Sequence, residues 1–193
     1  MMPRALTALL LALAFAAPAA AQAPSARPAP AKAAAPKATP PKTAPAKAAP
    51  AGPFDARDPA SLIDLLASVD AKAVTDRREG DGVLLKVTSP AGGFTAQFAG
   101  CSPQGRACSA VQFEAVAERS SPTLAQLNGF NQSSLTCRLT QDRAGKPHVL
   151  YSTLLFAGDT RQEMLTQVAA WRACLADFGA FLKDPPGYLA IAP

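Results

Sequence analysis

Four cysteines are the residues of this chain whose chemistry is easiest to specify from their positions: Cys101, Cys108, Cys137 and Cys174. In an oxidising compartment an even number of cysteines favours structural disulfides. Cys101 and Cys108 enclose a six-residue loop between two predicted strands, so their side chains can meet across the mouth of a hairpin. Cys137 faces inward on a later predicted strand and Cys174 lies at the edge of the apolar stripe of the last helix, so a bond between them would attach this helix to the sheet.

Other reactive groups are too sparse to predict an enzyme. Thiol oxidoreductases usually carry a C-x-x-C pair at a helix N-terminus, and the sequence has none. Zinc sites need closely spaced ligands, yet the one histidine, His148, has no cysteine pair to join. A serine hydrolase would have to use His148 without a G-x-S-x-G motif. We therefore predict a non-enzyme with no catalytic residue, metal or cofactor, and a surface or strand-edge position for His148.

Asn128, Phe130 and Asn131 form the most distinctive polar cluster, on one short predicted helix. Two interpretations follow from this spacing. The amides can cap the helix or satisfy neighbouring backbone groups, as asparagine side chains commonly do. Alternatively, they form a polar recognition patch around Phe130.

Three helices are predicted to position these residues, over 59–71, 122–130 and 160–182. The first opens with Asp58 as N-cap and Pro59 at the first helical position. Ser121 leads into the second, and Pro185-Pro186 is predicted to end the last. Asp159 is predicted to cap the last helix, with Glu163 completing a capping box. Its apolar residues recur at spacings of three and four: Met164, Val168, Trp171, Leu175, Phe178 and Leu182.

Six strands are predicted from alternating or continuous apolar runs, over 73–78, 83–87, 94–99, 108–116, 135–141 and 149–156. In the fifth, Leu135, Cys137 and Leu139 share the inward face. The order α-β-β-β-β-α-β-β-α predicts an antiparallel sheet of five to six strands with helices packed on it, in the α+β class.

The N-terminal part has a composition unlike the rest. Residues 1–21 read as a secretory signal, with Arg4, an apolar stretch and a cleavage site between Ala21 and Gln22. Residues 22–53 contain only small, proline and basic residues, with one glutamine, and predict a disordered linker with polyproline II character. The folded domain then occupies residues 54–193. We therefore expect a periplasmic or secreted protein without a transmembrane segment after cleavage.

The charges are divided unequally between these parts. Residues 1–53 hold six of the nineteen lysines and arginines and no acidic residue, so the domain has thirteen basic and fourteen acidic residues. A nearly neutral domain does not favour nucleic-acid binding. The basic linker is either a spacer or an electrostatic contact to an anionic envelope surface.

Several local sequences resemble the YbjN family of bacterial proteins over residues 58–183. They are Gly100-Cys101, Cys108 before Val111-Gln112-Phe113, the run Leu127-Asn128-Gly129-Phe130-Asn131, and the helix around Trp171. The resemblance implies a fold similar to type III secretion chaperones, which often dimerise and hold unfolded client segments. It implies no catalytic residue. Phe130 replaces the tryptophan common in the family, and Cys137 and Cys174 depart from its pattern.

Two non-catalytic functions are compatible with these features. The first is a binding or chaperone-like module that engages a protein client or a second copy of itself. An exposed apolar groove lined by Phe94, Phe98 or Phe113 would favour it. The second is a structural or regulatory envelope protein whose linker docks on anionic cell wall or membrane.

Overall fold

A computed structural model describes residues 53–118 and 121–192 of the 193-residue chain. The predicted signal peptide and residues 22–52 of the predicted linker lie outside the described residues. No helix in the described part is long and apolar enough to cross a membrane. The elements in chain order are α1 (Pro59–Ala67), β1 (Lys72–Glu79), β2 (Gly82–Ser89), β3 (Gly92–Ala99), β4 (Ala110–Val116), α2 (Leu124–Ser133), β5 (Arg138–Gln141), β6 (Pro147–Leu154), α3 (Arg161–Lys183) and α4 (Pro185–Ile191).

The six strands form one antiparallel sheet in the order β1-β2-β3-β4-β6-β5. The first three strands follow one another through tight turns, and Gly80 adopts a positive φ of 56° in the turn between β1 and β2. Positive φ is the conformation that glycine tolerates best. After α2 the chain enters as the edge strand β5 and returns as β6 beside β4. The predicted α+β class and the predicted element order up to α3 are confirmed.

One face of the sheet carries the core. Alternate residues of the central strands are buried there, including Phe94 (7 % exposed), Phe98 (0 %) and Phe113 (0 %). Helices α1, α2 and α3 pack their buried side chains against this face. The three phenylalanines therefore do not form the surface groove that would have favoured client binding.

Helix α3 closes this core with the longest apolar stripe in the described chain. Trp171 is fully buried, with its ring centroid 5.4 Å from that of Phe94 and 5.8 Å from that of Phe113. The inward positions are Met164, Val168, Trp171, Cys174, Phe178 and Phe181. The periodicity predicted that Leu175 and Leu182 point into the core, but both are only partly buried. Cys174 and Phe181 point into the core in their place.

The helix starts differ slightly from prediction. Thr160, not Asp159, caps α3, and its capping box with Glu163 is present. The Thr160 backbone amide donates to this carboxylate and lowers the pKa of Glu163. Asp159 instead accepts a hydrogen bond from the Phe156 amide at 2.8 Å. Likewise α2 begins at Leu124 behind the cap Thr123 rather than at Pro122, and extends to Ser133.

Several predicted elements extend past the observed ends, including β4, which begins at Ala110 rather than 108, and β6, which ends at Leu154 rather than 156. Helix α1 is capped by Asp58 as predicted but stops at Ala67, before a turn in which Asp70 has a positive φ of 58°. Strand β5 starts at Arg138 because Ser134 Oγ accepts the Cys137 amide and holds the preceding residues in a turn. As a result Leu135 is 93 % exposed rather than inward.

The prolines after α3 begin a helix that the sequence reading missed. Pro185-Pro186 ends α3 as predicted, but proline at the first helical position also suits a new helix. Asp184 caps α4 by accepting the Gly187 amide at 3.1 Å. The Tyr188 ring then packs against Phe130, with centroids 5.6 Å apart.

Replacement of Trp171 tests how much of the stability depends on this packing. The indole Nε1 is buried and has no hydrogen-bond partner among the described residues. Removal of the indole N–H therefore breaks no hydrogen bond. Trp171→Ala should lower the free energy of unfolding by about 3–5 kcal/mol, and Trp171→Phe by less than half of that loss. Urea unfolding of both variants measures this. Equal losses of unfolding free energy in the two variants would show that packing of the aromatic ring does not supply this stability.

Candidate binding surface

The structure pairs the cysteines as the sequence predicted, Cys101 with Cys108 and Cys137 with Cys174. The first bond closes the connection between β3 and β4. The second joins the segment before β5 to the buried side of α3. Cys137 is buried although it precedes the strand on which it was predicted. Both bonds therefore fix backbone segments, which is a structural role.

The Cys101–Cys108 loop also gathers the start of the domain. The Cys101 amide donates to Asp81 O at 2.8 Å, and the Cys108 amide donates to Arg57 O at 3.0 Å. Arg106 in the loop forms an ion pair with Asp58, Nε to Oδ2 3.2 Å. This loop thus holds the β1–β2 turn and the entry to α1 together.

Asn131 makes two hydrogen bonds with one residue of the edge strand β5. Its Nδ2 donates to Leu139 O at 2.9 Å, and its Oδ1 accepts the Leu139 amide at 2.7 Å. Since β5 has no further neighbouring strand among the described residues, a side-chain amide takes that position. This geometry supports the first interpretation of the asparagine cluster, in which the amides satisfy backbone groups.

The other two residues of that cluster lie in different environments. Phe130 is fully buried, and its ring centroid is 5.2 Å from that of Phe181. It is therefore not available on the surface to a partner. Asn128 is exposed on α2. The structure thus separates the three residues and does not assemble a patch around Phe130.

His148 lies within β6 rather than before it. Its Nδ1 is 2.5 Å from Glu114 Oε1, and its Nε2 is 3.7 Å from Asp142 Oδ2. The backbone amide of Lys146, helped by Ala144 and His148, lowers the pKa of Asp142. Among the described residues no three His, Cys, Asp or Glu side chains are grouped as metal ligands. His148 therefore makes polar contacts with Glu114 on the neighbouring strand β4 and with Asp142 in the turn before β6.

The second face of the sheet is not covered by any helix of the described chain, and we call it the open face. Its central row runs across four neighbouring strands, with Leu84 opposite Gln97, Gln97 opposite Gln112, and Gln112 opposite Ser152. Ser152 Oγ donates to Gln112 Oε1 at 3.1 Å. Antiparallel sheets often keep one such solvated face.

Two shallow recesses flank that row. One, of about 330 Å³, lies over the small residues Ala99 and Ala110, next to Leu154, which is 64 % exposed. The other, of about 340 Å³, lies beside Gly93, between Lys86 on one side and Val116 on the other. Small side chains at these positions leave the space. The recesses and the row of amides and hydroxyls between them form the candidate binding surface.

Sequence reasoning did not identify this surface. In the third predicted strand, apolar residues alternate with Thr95 and Gln97. This alternation indicated that one face of that single strand is exposed to solvent. Only the strand order shows that the solvent-exposed faces of four strands lie side by side in one surface.

A protein-family model covers most of the described domain. The profile of YbjN, described as "Putative bacterial sensory transduction regulator", matches residues 59–183. The chain belongs to the YbjN family. The YbjN match covers α1 to the end of α3, so α4 follows it. No curated protein and no solved structure is significantly similar to the chain. The family description is that of a regulator, which is consistent with a non-catalytic module.

Asn131→Ala tests the role of the amide at the β5 edge. The substitution leaves the backbone amide and carbonyl of Leu139 without their partner, which should cost about 1–3 kcal/mol of unfolding free energy. Asn128→Ala, on the exposed side of the same helix, is the control and should change stability by no more than about 0.5 kcal/mol. Chemical denaturation of both variants provides the measurement. An Asn131→Ala variant as stable as the wild type would contradict this role of the Asn131 amide.

The two disulfides should stabilise the domain unequally. Their sequence separations are 7 and 37 residues. Loop-closure entropy then predicts a loss of about 2.5 kcal/mol for Cys101→Ala/Cys108→Ala and about 4 kcal/mol for Cys137→Ala/Cys174→Ala. Denaturant titration of the two double variants against the oxidised wild type tests the order. The reverse order would mean that native contacts around the small loop outweigh chain entropy.

Proposed function

We propose that this YbjN protein is a non-catalytic, periplasmic or secreted binding module whose folded domain engages a protein partner on the open face of its sheet. The observation that carries the proposal is the uncovered surface of four adjacent strands with a recess on each side of its central row. The partner can be a client segment, as the chaperone-like resemblance implies.

The chemistry of the open face suits an extended peptide. Gln97, Gln112 and Ser152 offer side-chain donors and acceptors to a peptide backbone. Exposed Leu154 and Val116 add apolar contacts at the two recesses. Because the recesses are shallow, we expect small apolar side chains of the partner to enter them. A mixed surface of this kind is typical of non-obligate interfaces.

The proposed compartment follows from two independent features. The N-terminal sequence is typical of a secretory signal cleaved between Ala21 and Gln22. Two disulfides in a domain of this size are typical of proteins outside the cytoplasm. Together they favour the envelope as the location of the partner.

A second role concerns residues 22–53. They carry five of the basic residues and no acidic one, whereas the domain is nearly neutral. Electrostatic attachment of this segment to anionic cell wall or membrane would then hold the domain near its partner. In this alternative the chain is a structural or regulatory envelope protein.

One experiment separates the two roles. The full chain is crosslinked in its own envelope alongside a variant lacking residues 22–53 and the open-face double variant Ala99→Arg/Gln112→Arg. Both substituted side chains are accessible from solvent, so the fold should persist. Gln162→Arg/Ala169→Arg, at exposed positions of α3, is the matched control.

We expect a stoichiometric protein partner with the wild type and the α3 control, and at least a tenfold lower yield with the open-face variant. Retention of the partner by the open-face variant would contradict the proposed surface. If only deletion of residues 22–53 abolishes envelope association, and no protein co-purifies with any form, the attachment role replaces the binding role.

A further inference from the structure

Strand β1 is a free edge of the sheet over eight residues. It pairs with β2 on one side, and on its other side no backbone group of Lys72–Glu79 has a hydrogen-bond partner within the described chain. The opposite edge differs, since β5 is four residues long and Asn131 occupies both outward groups of Leu139. Unpaired edge strands are templates for pairing with another strand. β1 is thus the edge that can accept one.

A bulge in β1 changes which of its side chains share a face. Residues seven apart, such as Lys72 and Glu79, lie on opposite faces of a regular strand. Here the register shifts between Thr75 and Arg77, so Lys72 is opposite Thr88 and Glu79 is opposite Gly82. Those two partners are six residues apart on β2 and share the open face. Lys72 and Glu79 therefore also share it.

The same shift brings Val74 and Arg77 onto the open face, opposite Lys86 and Leu84 respectively. In order along β1, this face shows a cation, an aliphatic side chain, a cation with a long stem, and an anion. Val74 is 49 % exposed. The pattern is complementary to its own antiparallel copy.

We propose that the chain forms a twofold dimer in which β1 pairs antiparallel with β1 of a second copy. With the twofold axis between Thr75 and Asp76, Lys72 lies opposite the partner's Glu79, and Val74 lies against the stem of the partner's Arg77. Each interface then holds two Lys–Glu pairs and covers both exposed valines. Directly opposed charges of opposite sign stabilise a strand pair.

Charge complementarity selects a second copy over other occupants. The chain's own residues 22–52 contain a proline every few residues, and proline cannot donate to a strand ladder. A strand of an unrelated protein would not be required to match the cation-to-anion order of β1. The dimer joins two six-stranded sheets into a continuous one without covering the open face. It therefore does not depend on the proposed partner binding.

Charge exchange at the ends of β1 tests the dimer with the purified, oxidised full chain. Sedimentation equilibrium measures the dimer dissociation constant of the wild type, Lys72→Glu, Glu79→Lys and the double variant Lys72→Glu/Glu79→Lys. Each single change replaces two attractive pairs by two repulsive ones and should raise the dissociation constant at least about tenfold. The double variant should return to within about threefold of the wild type. Arg143→Glu, a charge change of the same sign and size in the exposed turn between β5 and β6 at the opposite edge of the sheet, is the control and should have no effect.

Mixing the two single variants provides the stricter test. A heterodimer of Lys72→Glu with Glu79→Lys again holds two pairs of opposite charge, so it should form in preference to either homodimer. The proposal is overturned if the wild type is monomeric at its highest soluble concentration. It is also overturned if Lys72→Glu leaves the dimer intact or if the mixture shows no preference for the heterodimer. Each of these results concerns self-association alone and leaves the open-face proposal standing.

Discussion

The packing of α3 on one face of the sheet is the constraint on which the rest of the structure depends. Trp171 lies fully buried against Phe94 and Phe113, which belong to two different central strands. The Cys137–Cys174 bond attaches the same helix to the segment that leads into β5. Within the described residues the core lies on one side of the sheet only, which leaves the other face without a covering helix. The candidate surface is therefore a direct result of where the helices pack.

Much of this fold could be predicted from the sequence because its signals are local. The cap Asp58 and the apolar stripe through Trp171 each depend on residues that are close together in the sequence. The two cysteine pairs could be predicted as well, although Cys137 lies before the strand on which it was predicted, because the β3–β4 hairpin and the apolar stripe of α3 were found in the sequence. The family resemblance was then confirmed over almost the predicted range.

The remaining features depend on contacts that no local pattern encodes. Pro185 in the sequence predicts the end of a helix. Only the stacking of Tyr188 on Phe130 shows why a further helix, α4, begins there. The role of Asn131 requires knowledge that β5 is at an edge, which follows from strand order. The open face likewise requires the positions of four strands at once. Candidate functional residues were missed because sequence reasoning concentrated on groups that react, whereas this surface consists of amides, hydroxyls and small side chains.

The contact between Asn131 and Leu139 also bears on the behaviour of the folded domain at high concentration. The asparagine amide occupies the outward backbone N–H and C=O of Leu139, so these two groups of β5 are closed to a strand of a neighbouring molecule. Exposed edge strands are common starting points for aggregation. One side chain of α2 therefore protects this edge of the sheet against edge-to-edge association.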